Sequence, residues 1–219
     1  MNYFEIIERL DKIYTRLEGK IVDYKTIVRK LNRALPFSEV RIVGNNTLLV
    51  TGNNFLVSGL YDPELDEDGK PCIEIEIDFP RNAIEYQLAE TDLTRAIWSI
   101  LVRDIVTIMG HEYIHLHQFR RREFRDGRYY NSTTRTSSLR EKQEYFGIPD
   151  EVEAYAFNIA ADMADFLPNK KVKIENTTVF KLYSKTFGKD HPILIKLKRF
   201  SKKNYKLLER QYYDLHNSI

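Results

Sequence analysis

Two histidines and an acid stand at helical spacing near the middle of the chain. His111 and His115 are four positions apart, and Glu112 directly follows the first histidine. Residues four apart on a helix lie about 40° apart around the axis and one turn apart along it, so both imidazoles can reach one ion. Neutral imidazoles suit Zn²⁺, which lowers the pKa of a bound water to about 7. Glu112 is placed to deprotonate that water without binding the metal.

A catalytic zinc needs a third protein ligand besides the water. His117 lies roughly 120° around the helix from His111, which favours a packing or supporting role. His191 and His216 are isolated beside basic runs, which is typical of structural or surface histidines. A carboxylate from a second helix is the better candidate. The segment beginning at Glu151 supplies one, and the chain before it is long enough to cross a loop and return antiparallel.

The elements that must position these residues follow from the hydrophobic periodicity. Residues 2–34 show helical spacing interrupted around Gly19, which predicts two helices, the second ended by Pro36. Short β-branched runs separated by turn-forming triplets then predict a small sheet, interpreted as a four-stranded antiparallel meander. Its strands are Val40–Val43, Thr47–Val50, Phe55–Val57 and Ile73–Phe79.

The Asp66–Gly69 stretch resembles a calcium loop only superficially. Counted from Glu64, the twelfth position is Ile75, where such a loop requires a bidentate glutamate. The sequence therefore predicts a hairpin turn.

The second half of the chain is predicted to be helical. A helix starts at Leu93, with Thr91-Asp92 as its N-cap, and runs to about Phe124. Residues 125–145 are polar and aperiodic, which predicts a surface loop. A further helix covers 151–166, and one or two more follow, with a break at 188–192.

We expect one α+β domain, 1–219. It comprises N-terminal helices in 1–35, the sheet and metal-site helices in 36–168, and a basic helical part in 169–219.

Composition narrows the class of protein. The chain has 219 residues, 42% of them hydrophobic, which is enough for a sizeable core. A single cysteine, Cys72, excludes a disulfide framework and predicts a reducing compartment. The sequence shows neither a signal peptide nor an 18-residue apolar run, so we expect a cytoplasmic protein without a membrane partner.

Charge is unevenly distributed although the net charge is only +2. Between residues 61 and 92 there are eleven acids against two bases, and between 170 and 208 there are twelve bases against two acids. Such blocks pair internally, remain solvated or form an anion-binding face.

The segment His111-Glu112-x-x-His115, followed by Glu151-x-x-Ala154-x-x-Phe157, resembles the gluzincin pattern of zincin metallopeptidases. The segment Pro-Asp-Glu-Val-Glu-Ala-Tyr-Ala also resembles a segment of zincin-like proteins encoded by tailed bacteriophages. For such a protein the compartment would be the host cytoplasm. The resemblance covers about residues 105–160. It implies a zincin-like fold, with His111, His115 and Glu151 as zinc ligands and Glu112 as general base and acid. Glu151 is preferred to Glu153 because it holds the first position of the pattern.

One position departs from that pattern. Many gluzincins have Asp or Asn four residues after the ligand glutamate, where it orients a zinc histidine, and this chain has Tyr155 there. Tyr155 and Tyr145 are therefore candidates for supporting a ligand or stabilising an oxyanion. Core packing is the alternative for both.

The sequence thus predicts a zinc metallopeptidase acting on a peptide or protein substrate. One alternative is a zincin that has lost activity and serves as a binding or regulatory module. Another is association with nucleic acid through Lys170–Lys206 and Arg120–Arg122, as the main task or as a targeting device. A peptide or protein is favoured over nucleic acid as the main partner. The sequence does not indicate an oligomeric state or a cleavage specificity.

Overall fold

The computed structural model describes most of the chain. The described residues are 2–20, 22, 24–35, 38–44, 56–79, 94–124, 138–164 and 172–217. The predicted strand Thr47–Val50 and the predicted cap Thr91-Asp92 lie outside them. Within this part the protein is helix-rich and α+β, with one small sheet. The contacts divide the chain into two compact units, Met1–Glu112 and Tyr113–Ile219, and the division falls inside one continuous helix.

The first unit begins with the two predicted helices. α1 spans Tyr3–Leu17 and α2 spans Tyr24–Ala34. The Asn2 side chain caps α1 by accepting a hydrogen bond from the Phe4 amide at 3.1 Å. Gly19 follows α1 with a positive φ of 72°, which places glycine where the chain turns between the helices. The predicted helix pair and its break are confirmed.

The sheet has three described strands, β1 (Ser38–Gly44), β2 (Leu56–Tyr61) and β3 (Ile73–Phe79), in the order β1-β3-β2. β2 and β3 are antiparallel, as predicted, but β1 runs parallel to β3, so the all-antiparallel meander is wrong. Alternation of apolar residues predicts which face of a strand is buried. It has the same period in either direction, so it could not reveal how β1 is oriented.

β2 and β3 form a hairpin with a turn at Asp68–Gly69, as predicted, but their connection also contains a short helix, α3 (Pro63–Glu67). The Asp62 carboxylate accepts hydrogen bonds from the Glu64 and Leu65 amides, and Pro63 occupies the first turn. An acidic N-cap followed by proline favours the start of a helix. This preference outweighs the tendency of the following residues to form only a turn, so a short helix forms first.

The longest helix, α4, spans Arg95–Arg121 and crosses the division between the units. Thr94 caps it by accepting from the Ile97 amide at 3.3 Å, so it begins two residues after the predicted start. It ends before the predicted Phe124 because Glu123 and Phe124 adopt positive φ values of 54° and 57°. Its N-terminal part contributes to the core of the first unit. Side chains exposed by at most 1% in that core include Leu10, Leu31, Ile73, Ile75, Ile77, Trp98, Leu101 and Ile105.

The second unit is helical. It contains α5 (Leu139–Gly147), α6 (Pro149–Ala164), a 3₁₀ turn (Ile174–Asn176), α7 (Thr178–Phe187) and α8 (Pro192–His216). The break at 188–192 is confirmed, with Gly188 at a φ of 90°. The predicted loop 125–145 is wrong at its C-terminal end, where α5 begins with a capping box between Ser138 and Glu141. α5 buries only Phe146, so its sequence shows no helical periodicity.

One hydrophobic cluster holds the second unit together. α8 packs mainly on α6, whose buried alanines permit a close approach. The cluster comprises Phe146, Val152, Ala156, Ile159, Ile174, Phe180, Tyr183, Ile193, Leu194 and Leu197. Among the described helices, none combines the length and apolar character needed to cross a membrane.

Candidate metal centre

Three side chains with metal-ligand chemistry converge on one point. Ligand atoms of His111, His115 and Glu151 all lie within 4.8 Å of one another. Nε2 of His115 is 3.6 Å from Oε1 of Glu151, and these two side chains are only 13% and 14% exposed. His111 is buried, at 7% exposure. The protein therefore has a triad able to hold a metal ion, formed by the two histidines of α4 and the first-turn glutamate of α6.

Gln118 determines how the His115 ring is presented to the triad. Its Oε1 lies 2.9 Å from Nδ1 of His115, and its Nε2 donates to the Asp150 carbonyl at 3.2 Å and to Oε2 of Glu153 at 3.1 Å. Two acceptors facing Nε2 fix the orientation of the amide, so the atom facing His115 is the oxygen. Nδ1 must then carry the proton, which leaves the lone pair of His115 on Nε2, the atom that faces Glu151.

The two glutamates at the start of α6 therefore have different positions. Glu151 belongs to the triad, and Glu153 accepts the hydrogen bond from Gln118. Asp150 also accepts from Arg122, whose Nη2 lies 2.6 Å from Oδ2. A charge-assisted contact this short, with both side chains largely buried, fastens the first turn of α6 to the residue just after α4. The backbone beside Glu151 is consequently held at two points.

Tyr145 and Tyr155 lie beside the third member of the triad. The Tyr145 phenol is hydrogen-bonded to Glu151 and to Tyr155, and its ring is 6.4 Å from that of Tyr155. Burial, together with the nearby Tyr155 and Glu151, raises the pKa of Tyr145 far above its usual range. The phenol therefore stays protonated and donates to the carboxylate. Tyr155 packs its ring against the hydrophobic cluster of the second unit.

Tyr183 completes the aromatic surroundings of Glu151. Its ring lies 5.9 Å from that of Tyr155, and its side chain is fully buried. Burial and the proximity of Tyr155 and Glu151 raise the pKa of its phenol well above the normal value. The packed rings of Tyr145, Tyr155 and Tyr183 thus limit the access of water to the Glu151 carboxylate, which strengthens the electrostatic interactions of that group.

Glu112 lies next to β2 in the first unit. A Cβ on Gly59 would lie 3.2 Å from Cγ of Glu112 and 3.4 Å from the Glu74 carbonyl oxygen, and would overlap the Cγ2 methyl of Ile108. Glycine at position 59 is therefore what allows the strand to approach the helix so closely. Glu112 is buried, at 8% exposure.

The remaining three histidines are not members of the triad. His117 stacks edge-on against Tyr113, with ring centroids 4.4 Å apart. His191 caps α8 by accepting at Nδ1 from the Ile193 amide at 3.3 Å, and His216 stacks on Tyr212. All three have structural contacts, as the spacing predicts.

Sequence reasoning missed Gln118 and Gly59. Gln118 stands three residues after His115, a spacing at which helical side chains are neighbours, so the pattern His-x-x-Gln carried a usable signal. Gly59 carried no local signal, because its requirement comes from a helix some fifty residues later. Comparisons with protein-family models, with curated proteins and with solved structures give no significant match to this chain.

Proposed function

We propose that the protein is a zinc metallopeptidase of the gluzincin type, with a zincin-like arrangement of sheet and helices. The observation that carries the proposal is the convergence of His111, His115 and Glu151 within 4.8 Å. Two imidazoles and a carboxylate form a donor set that leaves the fourth position of a tetrahedral zinc open, as catalytic sites require. Zinc, when bound, polarises the scissile carbonyl and acidifies water.

Glu112 is the general base and acid of this proposal. It follows His111 directly on α4, so it lies beside the ligands without belonging to the triad. Its carboxylate takes a proton from the attacking water and later delivers a proton to the leaving amine. Its buried position next to Gly59 limits the number of rotamers that it can adopt, which supports a fixed catalytic geometry.

Gln118 and Tyr145 are positioning residues. Gln118 accepts from Nδ1 of His115 and so directs Nε2 towards a metal, the task that Asp or Asn performs in the resembling enzymes. Tyr145 donates to Glu151 and so orients the carboxylate. Gln118 of α4 therefore takes the role of the Asp or Asn that is replaced by Tyr155 in this chain.

A peptide or protein in extended conformation is the proposed substrate. β2 is an outer strand of the three described strands, and it carries Gly59 against Glu112. No described strand pairs with its outer edge, which offers backbone donors and acceptors to an added strand. Leu56 and Leu60 on the exposed face of β2, at 48% and 53% exposure, supply apolar contacts beside such a peptide.

Zinc content tests the ligand set without any substrate. Purified, chelator-rinsed protein should retain about one zinc per chain, and His115→Ala and Glu151→Gln should lose most of it. Glu153→Gln is the matched control: it lies on the same turn of α6 and its amide can still accept from Gln118, so it should retain zinc. A folded parent that cannot be loaded with zinc would refute the metal site.

Glu112→Gln tests the chemistry. The substitution removes the base and leaves the three ligands, so zinc and fold should persist while cleavage of any peptide cut by the parent falls by at least about 10²-fold. Equal cleavage by this variant would exclude Glu112 as the base. Bound zinc without hydrolysis in a broad peptide library would instead favour the binding-module alternative.

A further inference from the structure

The C-terminal helix α8 divides sharply into a buried and an exposed face. Its apolar side is packed in the second unit through residues that include Leu194, Leu197, Tyr205 and Leu208. At about 100° per residue, the exposed cations fall within an arc of roughly 120° on the other side. They are Lys196, Arg199, Lys202, Lys203, Lys206 and Arg210, here called the basic face.

Most of these cations are not neutralised within the protein. Of the α8 cations, Lys198 lies 2.7 Å from Glu175, and Arg210 lies 3.6 Å from Asp214. Lys196, Lys202, Lys203 and Lys206 have no acidic partner among the described residues. The sequence from Pro192 to Leu208 contains no acid at all. A persistent positive potential along α8 follows from this arrangement.

A second basic surface exists on the first unit, but it is partly compensated. A cleft of about 300 Å³ between α1 and α2 is lined by cations that include Arg9, Lys12 and Arg16. Arg9 and Lys12 have Glu5 and Glu8 at 3.9 Å. Acids are interleaved with bases throughout α1, whereas α8 has none from Pro192 to Leu208. In the other basic run, Arg120–Arg122, Arg122 forms an ion pair with Asp150.

We propose that the basic face of α8 binds the phosphate backbone of nucleic acid without reading base sequence. Lys196 and Lys206 are ten residues apart, so the cations extend over about 15 Å, a length that spans several phosphates. An apolar membrane-inserting side is unavailable because the apolar side of α8 is buried. A protein partner would require an apolar centre, and the exposed apolar residues Ile195, Leu207 and Tyr213 are scattered among the cations.

Salt-dependent binding by the full chain tests this function, which is independent of the metal centre. Fluorescence anisotropy would use a labelled 20-base-pair duplex and a labelled 20-nucleotide single strand. With four phosphates neutralised, the affinity for duplex should fall on the order of 100-fold between 50 and 200 mM salt. Glu112→Gln should bind like the parent. Absence of binding to both probes at 50 mM salt would overturn the proposal, as would binding that salt leaves unchanged.

Two matched triple variants locate the surface. Lys196→Glu/Lys202→Glu/Lys206→Glu should abolish binding at 50 mM salt. Lys12→Glu/Arg16→Glu/Arg33→Glu changes the net charge equally and alters exposed cations of the α1–α2 cleft, so it should weaken binding only a few-fold. Equal losses would show a dependence on net charge alone, and a larger loss in the cleft variant would transfer the site there. Either result refutes the basic face.

A neutral variant guards against misfolding. Lys196→Gln/Lys202→Gln/Lys206→Gln removes charge without reversing it, and the slope of log affinity against log salt should become shallower by about 2.7 for duplex. An unchanged slope would contradict the proposal. Vesicles containing anionic phosphatidylserine provide the competing probe, and tighter binding to them than to duplex at the same salt would also overturn it.

Discussion

The two long helices, α4 with 27 residues and α8 with 25, differ in the burial of their polar side chains. α8 buries apolar residues and Ser201, whose hydroxyl donates to the Leu197 carbonyl at 2.7 Å, and leaves its cations in solvent. α4 buries His111, Glu112 and Gln118 at exposures of 7%, 8% and 3%. Polar side chains usually face solvent, as the cations of α8 do. α4 departs from this rule at the positions that form the triad or lie beside it.

Burying polar side chains on α4 costs free energy, so their burial indicates that they are hydrogen-bonded or functional. A buried polar group without a hydrogen bond costs about 1–3 kcal/mol, so a fold retains such groups only if they are satisfied or used. Gln118 is satisfied by three contacts, and His111 and His115 share the triad with Glu151. α8 has no comparable cluster of buried titratable groups in its described residues. Its unneutralised charges remain hydrated and cost the fold little.

The largest expected effect separates the two faces of α8. Leu197 is fully buried in the cluster of the second unit, so Leu197→Ala should reduce the free energy of unfolding by about 2–5 kcal/mol. Lys202→Ala lies on the opposite face and should change it by less than about 0.5 kcal/mol. Urea denaturation followed by circular dichroism measures both. Similar losses in the two variants would mean that the exposed face is not free in solution.

A smaller effect tests how tightly α4 packs on the sheet. The added methyl of Gly59→Ala meets Ile108 and presses on Glu112, so stability should fall by about 1–3 kcal/mol. Ser58→Ala alters the neighbouring, exposed position of β2 and should leave stability within about 0.5 kcal/mol of the parent. If the proposed role of Glu112 is right, Gly59→Ala should also slow peptide cleavage more than it alters zinc content. Unchanged stability in Gly59→Ala would mean that β2 and α4 are farther apart than described.

Local patterns were sufficient for much of the fold and for the two histidines of the triad. α1, α2, α6 and α8 each bury a set of apolar residues at helical spacing, so periodicity found them. His111 and His115 were found because their spacing follows from one helix. Glu151 required the resemblance to gluzincins, since no local rule distinguishes it from Glu153. The fold brings together what that resemblance implied.

The errors arose where the decisive contact is distant in sequence. The direction of β1 depends on pairing with β3, about 35 residues away, and alternation contains no information about direction. α5 was missed because it buries a single large residue and is defined by its capping box instead. Gln118 acts on His115 locally, but its orientation is set by Asp150 and Glu153 from another helix. None of these partners could be read from periodicity.

The smallest expected effect concerns that glutamine. Gln118→Ala removes the acceptor at Nδ1 of His115 and should weaken zinc binding about 10-fold, near the lower end for such supporting contacts, because a neutral amide orients an imidazole less strongly than a carboxylate does. Competition with a chelator of known affinity measures the change. An unaltered zinc affinity would show that His115 is held in place by its ring packing alone.

Gln118→Glu separates orientation from packing because it keeps the shape of the side chain. It places a carboxylate oxygen where Nε2 now lies, 3.2 Å from the Asp150 carbonyl and 3.1 Å from Oε2 of Glu153. Two negative groups at that distance repel, so the variant should bind zinc more weakly than the parent although the new side chain can still accept from His115. Adding Glu153→Gln supplies a donor in the place of the lost one and should restore most of the affinity. Rescue in the double variant, with no gain from Glu153→Gln alone, would show that hydrogen bonds from α6 through Gln118 position His115. Such a network would distinguish the buried polar end of α4 from the solvated face of α8. Additive effects would mean that the two positions act separately.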